Sequence, residues 1–357
     1  MNVRFSRREA LRGMLLPVMG SLAGPFPGLQ PGDPSASELD NLRLKNETFD
    51  FIKRCRRDDG GYNPSPDPRY PGNSDTGVSD LAAVTYAATL AKPEGWELPD
   101  QDHSAQFIQR HQQPDGAFVN FQGNFDPKSD RAVQYNTVQG VVGLRALGRK
   151  PALDPVHVMD RFFQKETFRS LPIFTASFYP LFYAALGAPF PRLYATALKQ
   201  WLVQNQAADG YVANHVASTF HMVHFFRLIG EPTPQAAAIV RRVLRDQRPD
   251  GGWQLTSPPS DVHACFDAVF ILRQLGNGSE MCRQAISRAA DWALSCRNSD
   301  GGFGHFPGWH SDMDAVYFQV GTLIQAGWFP GTNFDLPNAE TLSWGHVMNP
   351  GKIYTYP

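Results

Sequence analysis

The sequence predicts an all-α protein built as a closed (α/α)6 double ring, six inner helices wrapped by six outer ones. Three observations predict it. One turn is written five times: Asp59-Gly60-Gly61-Tyr62, Asp115-Gly116-Ala117-Phe118, Asp209-Gly210-Tyr211, Asp250-Gly251-Gly252-Trp253 and Asp300-Gly301-Gly302-Phe303. Each turn separates an amphipathic helical stretch from a more apolar one, the contrast expected of an outer layer packed on an inner one. No alternating strand pattern of any length interrupts the series. A unit recurring at roughly 40 to 50 residues marks an array. Closing six units into a ring removes the exposed ends that an open solenoid must cap.

The expected outer helices are Glu38–Arg56, Asp102–His111, Pro155–Phe163, Pro191–Gln204, Thr233–Asp246 and Ser279–Cys296. The expected inner helices are Ser79–Leu90, Ala132–Leu147, Phe174–Leu186, His215–Gly230, Val262–Leu275 and Asp314–Gly327. The fifth pair shows the grammar. Ile239, Val240, Val243 and Leu244 form one apolar face. Pro234 suits a first helical turn, and Pro249 ends the helix by removing a donor. The glycines that follow permit the positive φ of a tight reversal, and Trp253 plugs the space beside it. The third copy has lost its turn, with Lys165-Glu166-Thr167-Phe168 in its place.

The repeat makes residues 38–327 a single domain. The 33 basic and 34 acidic residues leave a net charge of −1 with no basic patch, which argues against nucleic acid as a partner. No apolar run reaches the length of a membrane span. At the N-terminus, Arg7 and Arg8 precede a short apolar stretch from Met14 to Ala23. Residues 1–23 read as a twin-arginine signal, so export out of the cytoplasm is expected. Residues 24–37, rich in Pro, Gly and Ser, read as a linker, and 328–357 as an irregular C-terminal strap. The four cysteines, Cys55, Cys265, Cys282 and Cys296, are too few for a disulfide scaffold. Cys282 and Cys296 lie on one expected helix, about 21 Å apart, and cannot pair while it is intact.

The turn, its place between paired helices and the sixfold count resemble the prenyltransferase and squalene-oxidase repeat superfamily, which comprises protein prenyltransferase β subunits and triterpene cyclases on an α/α toroid. The resemblance covers about residues 38–327. Within it the chain is most similar to protein prenyltransferase β subunits: Asp300-Gly301-Gly302-Phe303-Gly304, Asp312 and Tyr317-Phe318 resemble that family's last repeat, and His215-Val216-Ala217-Ser218-Thr219-Phe220 its His-Gly-Gly-Tyr-Thr-Phe segment. The resemblance implies a diphosphate-contacting role for His215. It also implies a zinc site at Cys265, with His263 where the family has Asp and Asp314 where it has His. The family's Arg and Lys before the metal motif are missing from Gln254-Leu255-Thr256-Ser257-Pro258-Pro259-Ser260.

A His, Cys and Asp set with one open position suits catalytic zinc, which lowers the pKa of a bound thiol. His263, Cys265 and Asp314 are therefore the candidate metal ligands, with Asp261 as an alternative. The competing reading makes Cys265 a small buried residue and Asp261 and Asp314 helix caps. Ser311-Asp312-Met313-Asp314 carries only part of the Asp-x-Asp-Asp acid motif of class II terpene cyclases. His221 and His224 share a helix face and form a second possible ligand pair, and His305 and His310 flank a loop at the mouth of the ring. The inner helices carry Tyr86, Tyr135, Phe178, Tyr179, Phe220, Phe266, Phe270, Tyr317 and Phe318, which line either an isoprenoid funnel or an ordinary core. His215, Phe266, Asp312 and Tyr317 are the candidate substrate-binding residues. Three functions follow: a prenyltransferase-like isoprenoid-binding protein with zinc, served by a partner protein; a non-catalytic exported toroid that binds a ligand or partner; and an (α/α)-barrel enzyme, terpene cyclase-like or acting on a glycan.

Overall fold

Five copies of one turn hold the architecture together, and each is built the same way. In the computed structural model, which describes residues 36–72 and 74–334, the Asp carboxylate accepts the backbone N–H two residues on. These bonds, to Gly61, Ala117, Tyr211, Gly252 and Gly302, span 2.9–3.2 Å. The glycine between lies at φ +78° to +93°, which disfavours any residue with a Cβ. Space adds a second requirement. A Cβ on Gly251 would meet Arg288 O at 2.4 Å, and one on Gly301 would meet Glu47 O at 2.5 Å. Each of these turns therefore sits directly on another outer helix, and the last turn sits on the first helix of the chain.

Outer and inner helices alternate along the chain. The first pair is α1 (Ala36–Arg54) and, after a one-turn helix α2 (Asp75–Val78), α3 (Asp80–Glu94). The next are α4 (Gln101–Arg110) with α5 (Asp130–Ala146), α6 (Val156–Gln164) with α7 (Phe178–Leu186), and α8 (Arg192–Gln204) with α9 (Val216–Leu228). The last are α10 (Ala236–Asp246) with α11 (Val262–Leu275) and α12 (Glu280–Ser295) with α13 (Met313–Ala326). The described residues contain no strands, only isolated bridges that clamp the turns, such as Gln112 with Phe118 and Arg297 with Phe303. The expected all-α double ring is what forms.

The glutamines that end several outer helices have a specific use. Gln112, Gln206 and Gln247 each donate from Nε2 to the carbonyl of their own turn glycine, at 2.8–3.0 Å. The same nitrogens donate to Leu153 O, Pro234 O and Ala285 O of the following outer segment, again at 2.8–3.0 Å. One amide thus ties a turn to its neighbour. The inner ring closes by contact of α13 with α3, where Tyr317 stacks on Tyr86 at 4.2 Å between ring centroids. α13 is buried along nearly its whole length, whereas α10 buries only Ile239 and Val243, matching the expected inner and outer layers.

Some boundaries move. The third inner helix starts at Phe178 rather than Phe174, after two short 3-10 turns, and this places Pro180 in the first helical turn where its missing N–H is harmless. Gln235 adopts φ +54°, so α10 begins at Ala236 rather than at Thr233. The start of the strap is anchored: Asn333 N–H donates to Pro93 O at 2.8 Å, and the Thr332 hydroxyl bonds Glu94, whose buried carboxylate also meets Lys45 at 2.8 Å. The export signal at residues 1–23, the linker up to residue 35 and the strap beyond residue 334 lie outside the described residues.

Candidate functional site

All inner helices present their N-termini to one end of the ring, and a hollow of about 350 Å³ opens there. Its walls are aromatic, with Phe125, Tyr135, Phe174, Phe178, Phe220 and Phe318, and Leu255 completes them. Polar groups enter at defined points: Asp75, Arg131, Gln134, His215, His221, His263 and Asp267.

At one side of this hollow the entries of α2, α11 and α13 converge with the loop after the last turn. Asp261 caps α11, accepting the His263 N–H at 2.9 Å, and Asp312 caps α13, accepting the Ala315 N–H at 2.9 Å. The positive ends of these helices favour carboxylates. Asp312 leaves its other oxygen, Oδ2, for His305, whereas Asp261 meets His263 with the same Oδ1 that caps the helix. His263 Nε2 lies 3.1 Å from Asp314 Oδ2 and its Nδ1 3.4 Å from Asp261 Oδ1. His305 Nε2 lies 3.1 Å from Asp312 Oδ2 and 3.3 Å from Asp314 Oδ2. Asp75 completes the group, with Oδ2 accepting from the Tyr86 hydroxyl at 3.4 Å.

The electrostatics are unbalanced. Four carboxylates face two imidazoles, so even two imidazolium ions leave an excess of negative charge. Burial opposes a charged His263, but the Asp314 and Asp261 carboxylates outweigh it and lift the imidazole well above its ordinary range. His305 is raised against burial by Asp312 and Asp314. Burial pushes the Asp312 carboxyl up despite His305, and burial with the Asp314 charge raises Asp75 to about 6. The cluster therefore calls for protons or for a cation.

The donors fit a cation. His263 Nε2, His305 Nε2, Asp312 Oδ2 and both Asp314 oxygens are buried, and none makes a well-aimed hydrogen bond although they lie at ion-pair distances. A tetrahedral zinc with bonds of about 2.0–2.1 Å has ligand–ligand edges of about 3.3 Å. The nitrogen–oxygen separations of 3.1–3.3 Å match that edge. Asp314 is the shared donor, and either His305 and Asp312 or His263 and Asp75 would hold the ion with it. Groups of three such donors, with all ligand atoms within 4.8 Å, occur as Asp261–His263–His305, Asp75–His263–Asp314 and His305–Asp312–Asp314.

The expected ligand set therefore divides. His263 and Asp314 meet, but Cys265 belongs to none of these groups. Its side chain turns toward the Gly252–Trp253 turn, where Sγ accepts the Trp253 N–H at 3.2 Å. It is fully buried, and burial drives its thiol far above the ordinary range, so a thiolate is disfavoured. Asp312 joins the cluster as cap and His305 partner. His215 is the N-cap residue of α9 and lines the hollow, with burial lowering its imidazole pKa. Phe266 packs behind the wall against Phe220 and Phe318, and Tyr317 is committed to the ring-closing stack. His221 and His224 do not form a ligand pair. His221 Nδ1 bonds Ser177 Oγ at 2.7 Å, while both ring nitrogens of His224 are buried among Phe220 and Phe270 without a partner. His305 carried a signal as a loop histidine beside the last turn. Asp75 and Asp267 carried none, since neither belongs to a motif.

The sequence model of the prenyltransferase alpha-alpha toroid domain matches residues 35–139 and 183–345. The chain belongs to that family. The gap between the matched stretches contains the copy that lost its Asp-Gly turn. Among solved structures, the toroid is similar to Candida albicans protein geranylgeranyltransferase-I complexed with GGPP, at 12% identity and a TM-score of 0.53, covering 78% of this chain and 90% of that one. It is also similar to a variant of the type II terpene cyclase MstE from Scytonema in complex with geranylgeranyl dihydroxybenzoate, at 14% identity and a TM-score of 0.52, covering 82% and 98%. At such identities the likeness shows the fold. No curated protein sequence matches significantly.

Proposed function

We propose that this prenyltransferase-family toroid binds an isoprenoid chain in its aromatic hollow and holds zinc, or a similar divalent ion, at the cluster around Asp314, acting as a prenyltransferase-like transferase. The observation that carries the reading is the junction itself: an apolar hollow that reaches, at Asp75 and His263, a cluster of buried nitrogen and oxygen atoms lying at ion-pair distance from one another without well-aimed hydrogen bonds. Both structural relatives hold a geranylgeranyl compound, which supports an isoprenoid ligand. Zinc at this place supplies a Lewis acid for an oxygen or sulfur of the bound molecule. The aromatic walls orient the chain and exclude water, and His215 and Arg131 offer polar contacts to its head. Nearby Arg242 is already paired with Asp209 and Asp246, so a diphosphate finds few uncommitted cations here. Export through the twin-arginine signal and service by a partner protein are parts of the same proposal, resting on the sequence.

Metal analysis tests it. Protein purified without chelators should contain about one equivalent of zinc, lost in Asp314→Asn, weakened in His263→Ala or His305→Ala, and kept in Cys265→Ala. Loss in Cys265→Ala alone would put the ion elsewhere. One observation favours a second reading: the Asp75 carboxyl opens onto the hollow, and burial with the Asp314 charge raises it toward the protonated form that could give a proton to an alkene. Metal-free protein that converts a linear isoprenoid to a cyclic isomer, and fails to do so as Asp75→Asn, would establish that chemistry instead.

A further inference from the structure

Asp267 has no part in the rim cluster, yet it is built into the hollow. It stands four residues after His263 on α11, so it faces the same way one turn deeper. Its position is six residues beyond the helix cap, and the same register in α5, α9 and α13 holds Tyr135, His221 and Phe318. All four line the hollow, so the register forms a girdle around it. Only 4% of Asp267 is exposed. Its carboxyl has no hydrogen-bond donor among the described residues, the His263 and Asp261 charges being its only electrostatic partners. An unpartnered carboxyl in aromatic surroundings costs free energy unless something in the hollow bonds it.

We propose that Asp267 reads an oxygen on the bound isoprenoid, so that the hollow selects an isoprenoid alcohol over the hydrocarbon of equal length. The inference rests on the isoprenoid reading above. A carboxyl group both donates and accepts, and so does a hydroxyl, so the two satisfy each other at one site. A hydrocarbon pressed against the girdle strips water from Asp267 and returns no bond. Sites built to bond a substrate hydroxyl discriminate strongly against analogues that lack it. His221 supports the same preference: Ser177 holds one ring nitrogen, which fixes the orientation of the imidazole in the wall.

The test uses the full chain, with farnesol and farnesene as probes and tryptophan fluorescence as the readout. Wild type should bind farnesol at least about tenfold more tightly, the value of one such hydrogen bond. Asp267→Leu should weaken farnesol, strengthen farnesene and bring the ratio near one, while Asp267→Asn, which can still bond a hydroxyl, should keep most of the preference. EDTA treatment should leave the ratio unchanged, because the reader is not the rim cluster. Equal affinities in wild type overturn the inference without any variant, as does a preference that survives Asp267→Leu or disappears with EDTA. If wild type binds neither probe, the isoprenoid reading falls and this inference falls with it. If it binds both equally, only this inference falls.

Discussion

Replacing His224 by Phe should stabilise this protein, and should do so more as the pH falls. The imidazole is completely buried on α9, stacked near Phe220 at 5.6 Å and edge-on to Phe270 at 5.7 Å. Neither ring nitrogen has a partner. A buried donor left without an acceptor costs about 1–3 kcal/mol. Phenylalanine keeps the flat ring and removes both polar atoms, against about 1 kcal/mol for its slightly greater bulk. The expected net gain near neutral pH is about 0–2 kcal/mol, or up to a few degrees in melting temperature. The pH dependence is a separate signature. Burial lowers the His224 pKa from 6.5 to about 3 in the folded protein. The folded value lies below the unfolded one, so this contribution to stability is complete above about pH 6.5. It is lost as the pH falls toward 3, at about 1.4 kcal/mol per unit. At pH 5 the variant should therefore lead wild type by about 2 kcal/mol more than at pH 7.5. Urea unfolding of both proteins across that range measures the difference, and titrations shared by the two largely cancel. A variant less stable at neutral pH, or a gap that stays constant on acidification, would refute the reasoning.

Three further outcomes are expected. Gly301→Ala should cost about 2–4 kcal/mol, because the new Cβ meets Glu47 O at 2.5 Å and opens the seam that closes the ring, whereas Gly95→Ala, with nothing within 4 Å, should cost only the left-handed backbone strain of about 1 kcal/mol. Thermal melts of the pair should separate by several degrees. Gln247→Met should cost about 1–3 kcal/mol by stranding Gly251 O and Ala285 O, and hydrogen exchange should accelerate at the Asp250 turn. EDTA should lower the melting temperature of protein purified with its metal, and added zinc should restore it, by about 2.7 kcal/mol at a hundredfold excess over the dissociation constant. An unchanged melt would count against the metal at the rim.

The turns were readable because their causes are local. Asp bonds the N–H two residues on, glycine takes the positive φ, and the following aromatic fills the space beside it. Repeating that unit five times predicted the double ring, even though the third copy is degenerate. His263, Asp312 and Asp314 could be singled out because they stand in the segments that resemble prenyltransferase repeats, at the starts of inner helices. Cys265 could not be judged the same way. It lies two residues from His263 in sequence, but the first turn of a helix sends those side chains in different directions, toward the layer interface and toward the hollow.

Periodicity and turn chemistry alone thus determined the all-α class and the pairing of helices. Only the tertiary structure decided which side chains meet at the hollow. His305 arrives from a loop, Asp75 from a one-turn helix in the first repeat, and Asp267 from a register position without a motif. Ring closure brings the first repeat against the last, and no local pattern can encode a contact between residues that far apart along the chain.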